Sequence, residues 1–307
     1  MSHLPELLEG ETCVVLDGGL ATELHRAGIP MQAPHWSAQA LLTTQGRAAV
    51  AQCHSAFLHA GADVITANTF RTNPRALRGV GAGVSAAERL TRVAVELADE
   101  AVAEYGRGTA VVAASIAPVE DCYEPSAVPD DLTLEVEHCW FASLLAQLGV
   151  ELALIETMNC VREAVIATRA ACRHGVTPWV SFVAGADARL LSGESLGDAA
   201  AAVARAGAEA VLVNCCDLAV TARALVALQS SGLPIGAYPN IEDRSEADSL
   251  PNTPLPASLG PVGFAVALTG LIGDFSLSIA GGCCGATPAH MHNLAASIKP
   301  INEGVLT

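Results

Sequence analysis

Short apolar segments recur along the chain, and most of them end at a polar residue or at glycine. Between them lie alanine-rich stretches in which apolar residues recur at the spacing of a helix. The eight apolar segments are residues 12–16, 62–67, 110–114, 152–155, 179–183, 210–213, 235–238 and 277–280. The clearest helical stretches are residues 86–104, 132–148, 161–173 and 221–230. Eight strands that alternate with helices predict a single (β/α)8 TIM barrel, with residues 1–307 as one domain.

Polar side chains gather where the predicted strands end. The strands themselves are apolar throughout, which is typical of parallel strands covered on both faces. The residues that follow them include Asp17, Asn68, Ser115, Glu156, Asn214 and Asn240. Some of these could serve only to end a strand and begin a loop, an interpretation that explains serines better than acids. Because barrel enzymes build their active sites at the carboxyl ends of the strands, we expect the active site there.

Two adjacent cysteines stand between glycines near the end of the chain, in residues 281–285. Neighbouring side chains on a strand point to opposite faces, so directing both sulfurs at one ion requires a distorted backbone, which glycine permits. Cys215 follows the sixth predicted strand and offers a third thiolate. Three protein ligands with an open fourth position are typical of catalytic zinc. The alternative is that these cysteines are small buried hydrophobic residues, as free cysteines often are.

Composition narrows the classes of partner. The chain of 307 residues has a formal net charge of −16, and Lys299 is its only lysine. We therefore expect neither nucleic acid nor an anionic membrane as a partner, and a small-molecule substrate instead. No apolar segment reaches the roughly 18 uncharged residues of a membrane span. The ten cysteines and the lack of a recognisable secretory leader predict a cytoplasmic protein with reduced thiols. The sequence is compatible with an oligomer but does not indicate one.

Two connections are longer than the others. Residues 118–131 carry Asp121, Tyr123, Glu124 and Asp130, and we interpret them as a lid over the rim of the barrel. Residues 242–261 are acidic and rich in proline, which predicts a long surface loop.

Motifs spread over nearly the whole chain make it similar to one family. They are residues 16–24, 36–37, 67–71, 114–118, 155–157, 213–215, 238–240 and 281–288. In these motifs the chain resembles the homocysteine S-methyltransferases, zinc-dependent barrels that include the S-methylmethionine and betaine enzymes and the homocysteine module of methionine synthase. The specific signal is Asn214-Cys215 together with Gly-Gly-Cys-Cys, whereas any other motif alone would be weak. The resemblance implies methyl transfer to the sulfur of homocysteine, giving methionine.

The resemblance also implies roles for the candidate ligands of the metal. Cys215, Cys283 and Cys284 would ligate Zn²⁺, and the sulfur of homocysteine would take the fourth position. Cys216 would be a neighbour and not a ligand, because on a strand it should point away from Cys215, although the spacing by itself leaves open an exchange of the two.

Homocysteine itself would be held by the first and fourth strand ends. The resemblance assigns Glu156 and Asp17 to its amino group, and the Gly18 and Gly19 amides to its carboxylate. We expect Glu156 to contribute more than Asp17, because the latter lies in a glycine turn that looks open to water. The rim residues Asn68, Thr69 and Ser115 lie in matched motifs and are expected to contact the substrate.

The methyl donor is predicted by elimination. Only 23 residues follow Cys284, so the C-terminal extension of the betaine enzymes is not expected, and folate and cobalamin modules are not found. A sulfonium such as S-methylmethionine or S-adenosylmethionine is favoured, with Tyr123 attracting the cation through its ring face. The loop after Ser115 lacks the glycine-rich form of many S-methylmethionine enzymes. Fewer matching motifs therefore support the identity of the donor than support that of the acceptor.

Other functions stay open at the level of sequence. A zinc-storage or sensor protein could use the same cysteines with water as the fourth ligand, although acids placed to receive an ammonium group would then have no purpose. A methyltransferase of the same family could use another thiol or another donor. In a purely structural role, the thiols would only pack or form a disulfide.

Overall fold

Eight parallel strands alternate with helices in the computed structural model, which describes residues 7–10, 12–78, 83–106, 110–243 and 254–299. The strands are β1 (Val14–Val15), β2 (Val64–Ala67), β3 (Val111–Ile116), β4 (Leu152–Met158), β5 (Thr177–Phe182), β6 (Ala210–Asn214), β7 (Ile235–Tyr238) and β8 (Ile279–Ala280). The α-helices are α1 (Leu20–Arg26), α2 (Thr44–His59), α3 (Gly83–Tyr105), α4 (Asp131–Gln147), α5 (Val161–Arg173), α6 (Leu196–Ala206), α7 (Leu218–Leu228), α8 (Pro261–Phe275) and α9 (Pro288–Ile298).

The strands form one nearly closed barrel. Consecutive strands pair in parallel from β2 to β8, and β8 pairs with β1. A parallel bridge between Leu16 and Val64 joins β1 to β2, and the Asp63 N–H donates to the Val15 carbonyl over 2.7 Å. The predicted (β/α)8 barrel is therefore confirmed.

Most predicted elements match the structure to within a few residues. The helix expected at residues 161–173 is α5 itself, and the one expected at residues 86–104 is α3 with a few residues added. The predicted strands at residues 12–16 and 277–280 shorten to two residues each. The residues lost lie mainly at the amino ends of the two strands, and after β1 and β8 the chain leaves the sheet at Asp17 and at Gly281 to form the loops of the site.

The inside of the barrel is apolar along most of its length and polar at the carboxyl end. Its apolar side chains are Val14, Leu16, Val64, Ala113, Leu152, Leu154, Trp179, Ala210, Leu212, Tyr238 and Ile279. Side chains alternate along a strand, so the position after Leu152 and Leu154 on the same face is Glu156. By the same alternation Ser115, Ser181 and Asn214 face inward at or next to the last residue of their strands. The carboxyl end of the barrel is therefore lined by groups that can bind a polar ligand.

Buried side chains hold the start of the loop at residues 118–131, which the sequence suggested as a lid. Glu163 accepts a hydrogen bond from the Val119 N–H over 2.8 Å, and Asn159 donates to the Cys122 carbonyl over 3.1 Å. Arg71 donates to the carbonyls of Pro118 and Glu120 over 3.1 and 2.8 Å. A closing movement would therefore have to arise from residues beyond Cys122.

The other long connection, residues 242–261, lies partly outside the described residues, because positions 244–253 are not among them. Across the described chain, every helix is too short or too polar to cross a lipid bilayer.

Candidate active site

Three cysteine sulfurs meet at the carboxyl end of the barrel. Cys215 follows β6, and Cys283 and Cys284 follow β8. The Sγ atom of Cys284 lies 3.8 Å from that of Cys215 and 3.9 Å from that of Cys283, and all three lie within 4.8 Å of one another. A tetrahedral zinc with Zn–S bonds of about 2.3 Å places its sulfur ligands about 3.8 Å apart. The spacing of the three sulfurs therefore fits a tetrahedral ion with one position left for another ligand.

The backbone around the cysteines departs from strand geometry, as the sequence predicted. Cys215 has a φ of 56°, in the left-handed region that non-glycine residues rarely adopt. Strand β8 ends at Ala280, and the loop that follows is fixed by hydrogen bonds from the Cys283 N–H to the Pro239 carbonyl and from the Ile241 N–H to the Cys284 carbonyl. A Cβ atom at Gly282 would lie only 2.2 Å from that of Ala286, so this loop can form only with glycine there.

Cys216 does not belong to this cluster. Its sulfur is buried and lies 3.7 Å from the Thr221 hydroxyl, at the start of α7. Cys215 and Cys216 thus face opposite sides of the chain, and of these two only Cys215 reaches the sulfurs of Cys283 and Cys284.

Glu156 lies inside the barrel and accepts two hydrogen bonds. Its Oε1 accepts from the Ser115 hydroxyl over 2.5 Å, and its Oε2 accepts from the Tyr238 hydroxyl over 3.2 Å. Burial raises the pKa of this carboxyl from 4.5 to about 7, even though both hydrogen bonds favour the ionised form. The carboxylate is therefore held in a place where a cationic partner would stabilise its charge.

Asp17 lies at the end of β1 and is bound to Thr66 of β2. Its carboxylate accepts from the Thr66 N–H over 2.7 Å and from the Thr66 hydroxyl over 3.0 Å. Burial raises the pKa of Asp17 to about 6, and the bonds from Thr66 oppose that shift. The expectation that this residue is open to water is wrong, because only 5% of Asp17 is exposed. The packing of β1 on β2 encloses it as fully as a core residue.

The two glycines after Asp17 differ in what they offer a substrate. Both line the cavity described below. A Cβ at Gly18 would lie 2.5 Å from the Ala286 carbonyl oxygen, so the loop can approach the cysteine loop only with glycine at this position. The Gly19 N–H already donates to that carbonyl over 2.9 Å. Of the two amides expected to bind the carboxylate of homocysteine, the one at Gly19 is thus taken by the protein itself.

Of the two residues after β2 that were expected to contact the substrate, only one lines the cavity. Asn68 lines the cavity, but its amide group is occupied on both sides by Ser37, whose hydroxyl donates to it over 2.6 Å. Thr69, expected as a substrate contact, does not line the cavity. Its hydroxyl donates to the Ser115 carbonyl over 2.8 Å, so it ties β2 to β3 instead.

One cavity is lined by every residue predicted to bind the metal or a substrate, except Thr69. Its lining includes the three cysteines, Asp17, Gly18, Gly19, Asn68, Ser115 and Glu156, together with Leu16, Leu20, Ala21, Trp36, Ser37, Thr66, Ala67, Phe70, Arg71, Asp121, Cys122, Tyr123, Leu154, Thr157, Tyr238 and Gly282. Tyr123 is 44% exposed and lines the cavity together with the three cysteines. Hydrogen bonds from Cys283, Cys284 and Tyr123 lower the pKa of the Cys215 thiol, and burial opposes that shift. The structure therefore brings the predicted metal ligands, acids and donor residue to one place.

Not every polar residue of the loop at 118–131 reaches the cavity. Asp121 lines it, whereas Asp130 caps the start of α4 by accepting from the Thr133 N–H over 2.9 Å. Glu124 accepts a hydrogen bond from the nearby Ser126 hydroxyl. Arg71 and Cys122 also line the cavity, although neither was predicted to do so. Arg71 lies inside the motif at residues 67–71, but nothing in the sequence singled out Cys122.

Comparisons with known proteins agree with this geometry. A family model described as homocysteine S-methyltransferase matches residues 14–298. Selenocysteine Se-methyltransferase of Brassica oleracea var. italica is 30% identical, covering 89% of this chain and 85% of that protein. Homocysteine S-methyltransferase 1 of Zea mays is 28% identical, covering 94% of each. The crystal structure of the homocysteine methyltransferase MmuM from Escherichia coli in its metallated form superposes with a TM-score of 0.81, at 25% identity, over 95% of this chain and 99% of that one.

Proposed function

The chain belongs to the homocysteine S-methyltransferase family, and from this premise we propose that it transfers a methyl group from a sulfonium donor to the thiol of homocysteine, giving methionine. In this proposal Cys215, Cys283 and Cys284 hold a Zn²⁺ ion. The observation that carries it is the triangle of sulfurs, with separations of 3.8 and 3.9 Å, in the same cavity as two buried acids.

The metal accounts for the activation of the acceptor. When bound by three thiolates, Zn²⁺ would lower the pKa of a thiol at its fourth position and so favour the nucleophilic thiolate at neutral pH. The three cysteines would hold the ion and would leave one position for the substrate thiol, because no fourth His, Cys, Asp or Glu ligand lies with them among the described residues.

Glu156 and Asp17 orient the acceptor. Both carboxyls have raised pKa values because they are buried, so each ionised form is stabilised when an ammonium group arrives beside it. The bonds from Ser115 and Tyr238 fix the position of the Glu156 carboxylate, and those from Thr66 fix Asp17. Homocysteine held by its amino group would present its sulfur in a fixed direction, which is how positioning accelerates a displacement.

A sulfonium donor suits the remaining part of the cavity. Trp36 and Tyr123 line it and are 40% and 44% exposed, so their rings are accessible to a ligand. Aromatic faces attract cations, and the Asp121 carboxylate nearby adds negative charge. The backbone of Trp36 has a φ of 44°, a costly conformation for a bulky residue that is found mainly where function requires it.

The chemistry then needs no general acid. The homocysteine thiolate forms the new S–CH₃ bond as the methyl–sulfonium bond breaks, and the donor leaves as a neutral thioether. The protein needs only to hold the two sulfurs on either side of the methyl group.

A donor panel tests the proposal. Reduced, zinc-loaded protein is given homocysteine with S-methylmethionine, S-adenosylmethionine, betaine or methyltetrahydrofolate, and methionine is measured by mass spectrometry. Isotope-labelled donor methyl groups distinguish product from contaminating methionine. We expect a sulfonium to be the best donor. Turnover with betaine or methyltetrahydrofolate alone would overturn the donor assignment, and methionine formation from none of the four would overturn the proposed function.

A further inference from the structure

Arg71 is a buried cation whose charge no acid of the described chain balances. Only 4% of the residue is exposed, and it forms no ion pair among the described residues. One nitrogen, Nη1, donates to the carbonyls of Pro118 and Glu120, and the Phe70 ring lies 5.0 Å from the guanidinium. The Nε atom is buried and has no hydrogen-bond partner within the described chain.

This arrangement is costly unless something else binds there. A guanidinium keeps its proton under all ordinary conditions and carries more N–H donors than the two loop carbonyls satisfy. Burying a charge without a counter-ion costs free energy, and buried charges in proteins are normally paired. Because Arg71 lines the cavity, a ligand anion could supply the missing partner.

The cavity is lined by both acidic and basic side chains, which together complement the two charged groups of an amino acid. Asp17, Glu156 and Asp121 are its acidic lining residues, and Arg71 is the only basic side chain among the described lining residues. An α-amino acid presents an ammonium group to the acids and a carboxylate to the cation. The Gly19 amide is already bound to the Ala286 carbonyl, so a carboxylate receives less from the glycine turn than the family resemblance implied.

We propose that Arg71 binds the α-carboxylate of an amino acid substrate and so selects substrates that carry one. This inference rests on the proposed function. Homocysteine and an amino acid sulfonium such as S-methylmethionine both carry the group, and the experiment below distinguishes them. Arg71 would act as a specificity-determining residue that also fastens the loop at residues 118–131.

Arg75 provides a matched control. It lies four residues further along the chain and contacts the same loop, because its Nη1 donates to the Glu120 carboxylate over 2.6 Å. Its other contacts go to Glu137, and it does not line the cavity. Loss of Arg75 therefore loosens the loop without removing a charge from the cavity.

The experiment compares substrates with and without the carboxylate. Wild type, Arg71→Gln, Arg71→Lys and Arg75→Gln are assayed first with homocysteine and then with 3-aminopropane-1-thiol as acceptor, at saturating S-methylmethionine. The donor is then varied in the same way, with S-methylmethionine compared with (3-aminopropyl)dimethylsulfonium. Zinc content and thermal unfolding are recorded for each variant, to show that folding and the metal site are intact.

We expect Arg71→Gln to raise KM by about 10- to 100-fold for one carboxylate-bearing substrate, the loss that follows removal of a charge-assisted hydrogen bond. The KM of the matching substrate without a carboxylate should change little. If the difference appears with the acceptor pair, Arg71 binds homocysteine, and if it appears with the donor pair, Arg71 binds the donor. Arg71→Lys should recover part of the loss, and Arg75→Gln should show no selectivity for the carboxylate.

Two results would overturn the inference. One is an equal loss with and without the carboxylate in Arg71→Gln, which would show that the residue only supports the loop. The other is an unchanged KM for every substrate. If wild type fails to form methionine at all, the proposed function fails separately. Calorimetric binding of homocysteine and of S-methylmethionine to wild type and Arg71→Gln then decides the role of Arg71 without turnover, since equal affinities would contradict it.

Discussion

The sulfurs of Cys215 and Cys284 lie 3.8 Å apart, although the two residues are separated by 69 positions in the chain. They follow β6 and β8, which are not neighbours in the barrel, because β7 lies between them. The left-handed backbone at Cys215 and the loop that follows β8 carry the two side chains across that gap. Their contact therefore depends on backbone geometry that the rest of the protein must stabilise.

Substitution of the three clustered cysteines should abolish metal binding. We expect the reduced protein to bind about one Zn²⁺ per chain, and Cys215→Ala, Cys283→Ala and Cys284→Ala each to lose most of it, because an open catalytic site has only three protein ligands. Metal content after dialysis, measured by mass spectrometry, tests this. Cys216→Ala is the control and should keep its zinc, since its sulfur faces Thr221. Full zinc retention in Cys283→Ala would refute the assignment.

Neutralising either buried acid should weaken the binding of homocysteine without reducing the binding of the metal. Glu156→Gln and Asp17→Asn each remove a charge from the proposed ammonium site, and we expect KM for homocysteine to rise about 10- to 100-fold. Because Asp17 is buried as fully as a core residue, its substitution should cost as much as that of Glu156. Initial-rate kinetics at fixed donor, with zinc content as the control, check both. An unchanged KM in Glu156→Gln would remove that residue from the site.

Homocysteine affinity should fall as the solution becomes acidic. The pKa of Glu156 is raised to about 7 by burial, so lowering the pH below that value protonates the carboxyl and removes its attraction for an ammonium group. We expect KM for homocysteine to rise between about pH 8 and about pH 6, and less steeply in Glu156→Gln, whose amide does not titrate. Parallel pH profiles for the two proteins would mean that another group controls the dependence.

Tyr123 should matter to the donor more than to the acceptor. Its ring is 44% exposed in the cavity wall, and a cation over an aromatic face gains about 0.5–2 kcal/mol. Tyr123→Ala should therefore raise KM for the sulfonium by about 2- to 30-fold. Tyr123→Phe keeps the ring and tests whether the hydroxyl beside Cys215 contributes separately. Should Tyr123→Ala leave donor kinetics intact, the sulfonium must bind elsewhere on the rim.

Removal of the Glu163 side chain should destabilise the fold. Glu163 is fully buried, accepts from the Val119 N–H and lies 3.0 Å from Nε2 of His138. Each buried group left without a hydrogen-bond partner costs about 1–3 kcal/mol, so Glu163→Ala, which leaves the Val119 N–H and the His138 ring nitrogen without their partner, should lower the free energy of unfolding by that order, as measured by urea denaturation. Glu163→Gln keeps an acceptor and should lose less. Equal urea midpoints for Glu163→Ala and wild type would show that this network carries little stability.

The sequence by itself determined the architecture and the cysteines of the sulfur cluster. Eight apolar strands alternating with helices gave the barrel, because burial on both faces of a parallel sheet leaves a pattern that can be read directly. Adjacent cysteines between glycines pointed to the sulfur cluster, because only a distorted backbone could use both thiols. Glu156 follows an apolar strand in the sequence, and in the structure it lines the cavity on the inner face that Leu152 and Leu154 share.

Only the tertiary structure decided which rim residues face the cavity. Asp17 is buried because β1 packs against Thr66, and Thr69 faces β3 while Arg71, two residues later, lines the cavity. Asp130 caps a helix and Asp121 reaches the site, although both are acids of one loop. These residues lie beyond the ends of the strands, where side-chain direction has no period and is set by contacts between segments far apart in the chain.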